Sequence, residues 1–329
     1  MQPTKSPNKK SFVSQFSPYL SGLLRRQTFS MFLILLLIWV VLAFLSPYFF
    51  TVNNLFEITL QAAVFAILAA GETFVIFSGG IDLSVGSVFA FASIVGGLVF
   101  QATGSAFLAI VGSIIAGIIA GLMNGLFITR LKVPPFVATL GMMGIGRGFA
   151  LILCKGVPIY DLTEGYMWLG QGKLFGVIPV PTLIVVIIFI LAFFVLKYTK
   201  FGRFTYAIGS NAEATRLSGI NINRVTLGIY MVSGMLSAVA GVIESARLGT
   251  IQPAGGNGYE LLAIGAVVIG GTSLFGGEGE IIATLIGALI VTTIRNGLNI
   301  LGVYAFWQYV VNGLIIITAV AIDQIRRRG

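Results

Sequence analysis

KYTKFGRFTYAIGSNAEATRLSGININR, residues 197–224, lies between two apolar runs, each long enough to cross a bilayer. Most of the chain avoids charge, yet this stretch carries Lys197, Lys200, Arg203, Arg216 and Arg224 against one acid, Glu213. A basic, helix-capable insert between spans is a loop held on one side of a membrane. Its size suits presentation to a soluble partner, and that points to a transporter energised by another subunit.

The rest of the composition agrees. Of 329 residues, 57% are hydrophobic and 9% are charged, where a soluble domain carries about 25% charged residues. The mean hydropathy is +0.99. One water-soluble core cannot hide so much apolar surface. The 42 glycines fit helices that approach closely in lipid. There is no His, and Cys154 is the one Cys. An intrachain disulfide, a His/Cys metal cluster and a His-based triad are thereby excluded, and no metal site is expected. Cys154 reads as a small apolar span residue. The net charge of +9 is read as the usual basic bias of cytoplasmic loops, not as nucleic-acid binding.

Ten apolar segments are expected to cross or enter the membrane, near 29–50, 55–77, 84–101, 105–128, 134–153, 181–197, 225–247, 260–275, 279–295 and 306–323. The predicted fold class is therefore all-α and polytopic. The third, eighth and ninth segments are short and Gly-interrupted, so broken or partial spans are expected among them. Residues 1–28 form a basic cytoplasmic tail without a cleavable signal peptide: the apolar run after it is too long and lacks a small-residue cleavage site. Residues 29–325 form the transmembrane domain, with its coupling loop at about 197–224, and 326–329 a basic C-terminal tail. With the N-terminus inside, 15 of the 20 basic residues fall on inner segments; Arg147, Lys155, Lys173, Arg247 and Arg295 do not. That split puts both termini in the cytoplasm and segments 154–180 and 248–259 outside.

Gly117, Gly121 and Gly125 form a small-xxx-small ladder. It serves packing within one subunit, or else a dimer or pathway helix. A faint internal echo pairs Gly79-Gly80-Ile81-Asp82-Leu83 with Gly270-Gly271-Thr272-Ser273-Leu274, and Asn124-Gly125-Leu126 with Asn296-Gly297-Leu298. Such echoes hint at duplication.

Polar residues at membrane depth are costly and face protein or a watery path. Glu72, Asp82, Ser84, Asn124 and Asn296 are the candidates for a translocation pathway. Asp82 or Ser84 can instead cap the helix that follows the Gly79–Gly80 break. Glu72 and Arg147 can neutralise one another as a pair. Glu244 and Arg247, three apart, can pair on one helix face. Arg247 and Arg295 are candidates for docking an external protein, or for snorkelling to headgroups. Asn211 or Ser210 can N-cap a short helix through Glu213, Ala214, Thr215, Arg216, Leu217 and Ser218, and Gly219 can end it. That helix serves a partner socket or lies on the membrane surface. No phosphate loop occurs, so ATP is not bound here by that device. No run of carboxylates suggests a proton relay.

Six stretches carry a family resemblance: SPYFFTVNNLF (46–56), SGGIDLSVGS (78–87), AIGSNAEATRLSGIN (207–221), YELLAIGAVVIGGTSLFGG (259–277), TLIGALI (284–290) and NGLNILGV (296–303). They resemble the integral-membrane permeases of sugar ABC importers, in the ribose and monosaccharide branch. The resemblance implies a bacterial inner-membrane protein and a second permease copy, identical or a close paralogue. It further implies a cytoplasmic ATPase subunit with two fused nucleotide-binding domains, which would bind ATP and Mg, and an external sugar-binding protein. The permease itself would be non-catalytic and hold no cofactor. Asn211 to Gly219 would be the coupling helix. In many ABC importers it carries Glu-Ala-Ala, then Gly six residues after the Glu. Glu213, Ala214 and Gly219 keep that spacing, Thr215 replaces the second Ala, and the usual Ile-x-Leu-Pro ending is absent. Glu72 also departs, since ribose permeases more often have an apolar residue there. The reading is a monosaccharide permease with ribose or another pentose favoured, and with selectivity mainly in the external protein. Its rivals are a nucleoside or furanose-like cargo, and an ion-coupled secondary transporter.

Overall fold

The computed structural model describes residues 27–328. The basic residues expected in the inner N-terminal tail, Lys5 to Arg26, lie outside that range.

Thirteen helices are described: α1 (Gln27–Leu45), α2 (Val52–Phe77), α3 (Val85–Thr103), α4 (Ala106–Thr129), α5 (Pro135–Leu153), α6 (Glu164–Gln171), α7 (Val180–Tyr198), α8 (Lys200–Ser210), α9 (Ala212–Leu217), α10 (Ile222–Leu248), α11 (Tyr259–Ile269), α12 (Ile281–Ile300) and α13 (Ala305–Arg328). Eight of them, α1 to α5, α7, α10 and α12, are long and apolar enough to cross a membrane. The one sheet among the described residues is a two-stranded hairpin, β1 (Lys173–Leu174) against β2 (Ile178–Pro179).

Two of the three segments suspected of being broken are continuous. The third expected segment is α3, 19 residues long, and the ninth is α12, 20 residues long. Their glycines lie against neighbouring helices and connecting segments, where lost propensity is offset by close packing. The eighth is short: α11 has 11 residues and ends in a turn at Gly270–Gly271. Segment 154–180, expected only as an outer connection, folds into α6 and the hairpin. It is stitched to the segment after α10 by an Ile159–Ile251 bridge and to the last turns of α10 by a Tyr166–Ser245 hydroxyl contact of 2.9 Å.

Burial orders the helices. In their most apolar stretches α2 is 89% buried and α1 only 6%, which makes α2 the centre and α1 a peripheral flank. α10 runs along α4, α2 and α3. The glycine ladder explains how close it comes. Gly117 packs on the Gly234 backbone, Gly121 on Tyr230 and Met231, and Gly125 on Leu227. The ladder therefore serves packing within the subunit.

The break after α2 meets the later part of the turn that follows α11, at Phe275–Gly277 and not at Gly270–Gly271. After α2 the chain turns through Ser78–Gly80, with Gly79 at φ 79°. After α11 it turns through Gly270–Gly279. The Gly277 N–H donates to the Phe77 carbonyl at 2.9 Å, joining them.

A Cβ at residue 121 would collide with the Tyr230 carbonyl. Overpacking of this kind costs about 1–3 kcal/mol. Gly121→Val is expected to lower the unfolding temperature of the detergent-solubilised protein by several degrees, measured by tryptophan fluorescence; an unchanged midpoint would contradict the close approach.

Candidate functional site

The polar residues singled out in the spans do not scatter. Glu72 lies six residues before the break that begins at Ser78, Asp82 and Ser84 lie between α2 and α3, and Asn124 projects from α4. All four are buried, none more than 2% exposed. Asp82 Oδ1 accepts the Ser84 amide at 2.9 Å and the Ser84 hydroxyl at 2.6 Å. Asp82 Oδ2 accepts the Ser233 hydroxyl of α10 at 2.8 Å. Asn124 Nδ2 donates to Ser84 Oγ at 2.8 Å. Glu72 Oε1 accepts the Asp82 amide at 3.0 Å. α2, α3, α4 and α10 thus share one buried polar cluster. The logic is local: a helix interrupted at depth releases N–H groups, and Glu72 and Asp82 take them.

Two expectations are corrected. Glu72 does not pair with Arg147, because the break amide claims its Oε1 while Arg147 donates to the carbonyls of Pro253 at 3.1 Å and Gly255 at 2.6 Å. Nor does Ser84 cap α3 with its side chain; that hydroxyl is spent on Asp82. Asn296, the fifth candidate, stands apart. It exchanges amide hydrogen bonds of 2.7 and 3.2 Å with Asn54. Ser233, Asn54 and Tyr230, whose buried hydroxyl lies against Gly80 of the break, do not stand out in the sequence. A hydroxyl within an apolar run is the signal for Ser233 and Tyr230, whereas Asn54 stands in the first turn of α2.

The loop is a pair of helices. Asn211 caps α9, its Oδ1 accepting the Ala214 amide at 2.9 Å. Gly219, at φ 81°, ends the turn after it. Glu213 and Arg216 form an exposed pair of 2.6 Å. The hydrogen bond from Arg216 holds the Glu213 carboxyl below its ordinary range. A lowered carboxylate pKa keeps the pair intact through neutral pH, and it is lost only as pH falls through that lowered value. Thr215 is buried and donates to the Asn211 carbonyl at 2.8 Å, while Ala214, Leu217 and Ser218 lie exposed.

α8 connects α9 to the breaks. Tyr206 donates to the Gly279 carbonyl at 3.0 Å and Ser210 to the Gly277 carbonyl at 3.5 Å. Gly209 sits against the Phe77 carbonyl, where a Cβ would collide. At the far end of α10, about 40 Å away for its 27 residues, Arg247 is held by Glu244 at 2.9 and 3.1 Å and approached by Glu57 at 3.8 Å. The expected Glu244–Arg247 pair is present. Arg247 and Arg295 line one cavity of about 200 Å³, which none of the five pathway candidates lines. No group of acidic and Cys residues able to hold a metal ion occurs among the described residues.

The chain matches a family model described as branched-chain amino acid transport system / permease component over residues 54–320. It is 44% identical to the ribose import permease protein of Escherichia coli strain K12 over 293 residues, 88% of this chain and 91% of that one. It is 46% identical to the protein of that name from Bacillus subtilis strain 168 over 296 residues, 89% and 91% of the two chains. The L-arabinose transport system permease protein of Escherichia coli strain K12 is 37% identical over 301 residues, 92% of each chain. No solved structure matches.

Asp82→Ala would strand three buried donors, each costing about 1–3 kcal/mol. The variant is expected to lose most of its monodisperse yield in size-exclusion chromatography, while Ser233→Ala loses far less. Equal yields would contradict the network.

Proposed function

This chain belongs to the branched-chain amino acid transport system / permease component family, and from that membership we propose that it is the translocation subunit of an ATP-driven importer of a monosaccharide, with ribose or a related pentose favoured. The family description names branched-chain amino acids, whereas the similar proteins are named for sugars. Relatives at 44–46% identity over most of the chain are named for ribose, which is the observation that carries the sugar. A relative named for L-arabinose and, at 37% identity, one named for D-allose support the wider class of monosaccharides.

The subunit is a non-catalytic, multi-pass membrane protein. In this reading ATP and Mg bind to a partner ATPase carrying two fused nucleotide-binding domains. A soluble binding protein delivers the sugar, and a second permease copy completes the membrane unit. The chain lies in a bacterial inner membrane with both termini and the 197–224 loop in the cytoplasm. Residues 1–28 and 326–329 are basic tails of the 29–325 permease domain.

α9 is the coupling helix, from Asn211 through Glu213, Ala214, Thr215, Arg216, Leu217 and Ser218 to Gly219. Its exposed Glu213–Arg216 pair and Leu217 enter a socket on the ATPase. Movement passes to α8 and from there, through Tyr206, Gly209 and Ser210, to the two glycine breaks. Glu72, Asp82, Ser84 and Asn124 frame the pathway from within, and Asn296 ties α12 to the start of α2. When ATP closes the partner subunits, the helices rock about these breaks and the spans alternate between outward and inward openings.

Copurification with the ATPase and binding protein, followed by sugar-stimulated ATP hydrolysis in nanodiscs, tests this reading. Wild type is expected to show stimulation by one loaded binding protein, and Glu213→Arg to lose about tenfold or more, an effect of at least about 1.4 kcal/mol on coupling. Wild type that associates with no ATPase would overturn the proposal.

A further inference from the structure

The cavity at the far end of α10 has a wall chemistry that the coupling reading leaves unused. Gln61, Phe65, Glu244, Arg247, Tyr259 and Arg295 line its roughly 200 Å³. The rings of Phe65 and Tyr259 meet edge to face with centroids 4.9 Å apart. The Arg295 guanidinium lies 5.0 Å from the Phe65 centroid. Its Nη1 is buried with no hydrogen-bond partner. A buried donor left unpaired is costly and calls for an acceptor.

The other charges here are already engaged. Glu244 accepts both hydrogen bonds from Arg247 and one of 3.4 Å from Tyr259, and Glu57 approaches Arg247. Two carboxylates and two guanidiniums balance. The wall therefore offers one unmet planar donor, an aromatic surface and a side-chain amide, with no net charge. An anion would find Glu57 and Glu244 opposing it. An uncharged ring with several hydroxyls finds a donor for its oxygens and an aromatic face for its C–H groups.

Size narrows the choice. Ligand pockets run from about 300 Å³ upward, so this one suits a single sugar ring better than a nucleoside. A second cavity, of about 190 Å³, shares Tyr259 and Arg295 and continues to Gln308 and Asn312. Asn312 Oδ1 is buried there without a partner. Tyr259 and Arg295 thus stand between two spaces, each with an unmet polar atom.

We propose that this cavity is a monosaccharide-binding station inside the permease. Arg295 Nη1 donates to a ring hydroxyl, the Phe65–Tyr259 pair carries the C–H face, and Gln61 completes the polar contacts. The station rests on the monosaccharide reading and deepens it, because it gives the membrane subunit its own recognition of the cargo. It assigns Arg295 to the cargo in place of docking the external protein.

The complete transporter in proteoliposomes, with ATPase and binding protein, provides the test. Radiolabelled ribose uptake and ATP hydrolysis are measured together, and their ratio is the readout. Arg295→Gln is expected to lower sugar moved per ATP about tenfold, with Arg295→Lys recovering part of it. Gln61→Trp fills the cavity from α2 and is expected to lower the ratio similarly. It decides alone if Arg295→Gln yields no monodisperse complex. A ratio equal to wild type in both variants, even where both rates fall together, overturns the station. Wild type that moves leucine and no monosaccharide overturns instead the functional reading beneath it.

Discussion

The carbonyl of Phe77 is the point on which the architecture turns. The chain interrupts a helix at membrane depth there, where water cannot take the released backbone groups. Every group that the interruption frees must find a partner within the protein. Phe77 O takes the Gly277 amide, Glu72 takes the Asp82 amide, and Asp82 takes the Ser84 amide and hydroxyl. Those bonds draw the end of α2, the loop before α12 and the start of α3 to one place. Ser233 then brings in α10, and Asn124 brings in α4. Gly209 lets the α8 backbone rest on the same carbonyl.

Through α8, the exposed helix α9 is linked to this knot. α9 joins α8 through Asn211, and α8 touches the loop of the second break through Tyr206 and Ser210. α9 also leads within a few residues into α10, a continuous helix that reaches the arginine-lined cavity at its other end. Short glycine-hinged breaks beside long rigid helices are a natural arrangement for rocking about a fixed centre.

Local chemistry was legible in the sequence, and convergence was not. The cap at Asn211, the stop at Gly219 and the Glu244–Arg247 pair depend on spacings of a few residues, and the structure has all three. Most span limits follow from apolar length, so α4, α5, α7 and α10 fall within a few residues of expectation. Which of the three glycine-interrupted segments is short, α11 and not α3 or α12, depends on neighbours that the sequence does not reveal, because glycine lowers helix propensity in all three. Glu72, Asp82, Ser84 and Asn124 stood out singly as polar groups in apolar surroundings. That they meet depends on how α2, α3, α4 and α10 assemble. The mistaken Glu72–Arg147 pairing followed from matching charges without positions. Tyr230 and Ser233 read as ordinary span residues, and the Phe65–Tyr259 wall joins rings almost two hundred positions apart.

Accumulation of ribose in sealed proteoliposomes, with the complete transporter and internal ATP, tests the central claim most directly. The account predicts ATP-dependent accumulation that vanadate stops and that ionophores leave intact. Accumulation that persists without ATP and collapses when ion gradients are dissipated would contradict it.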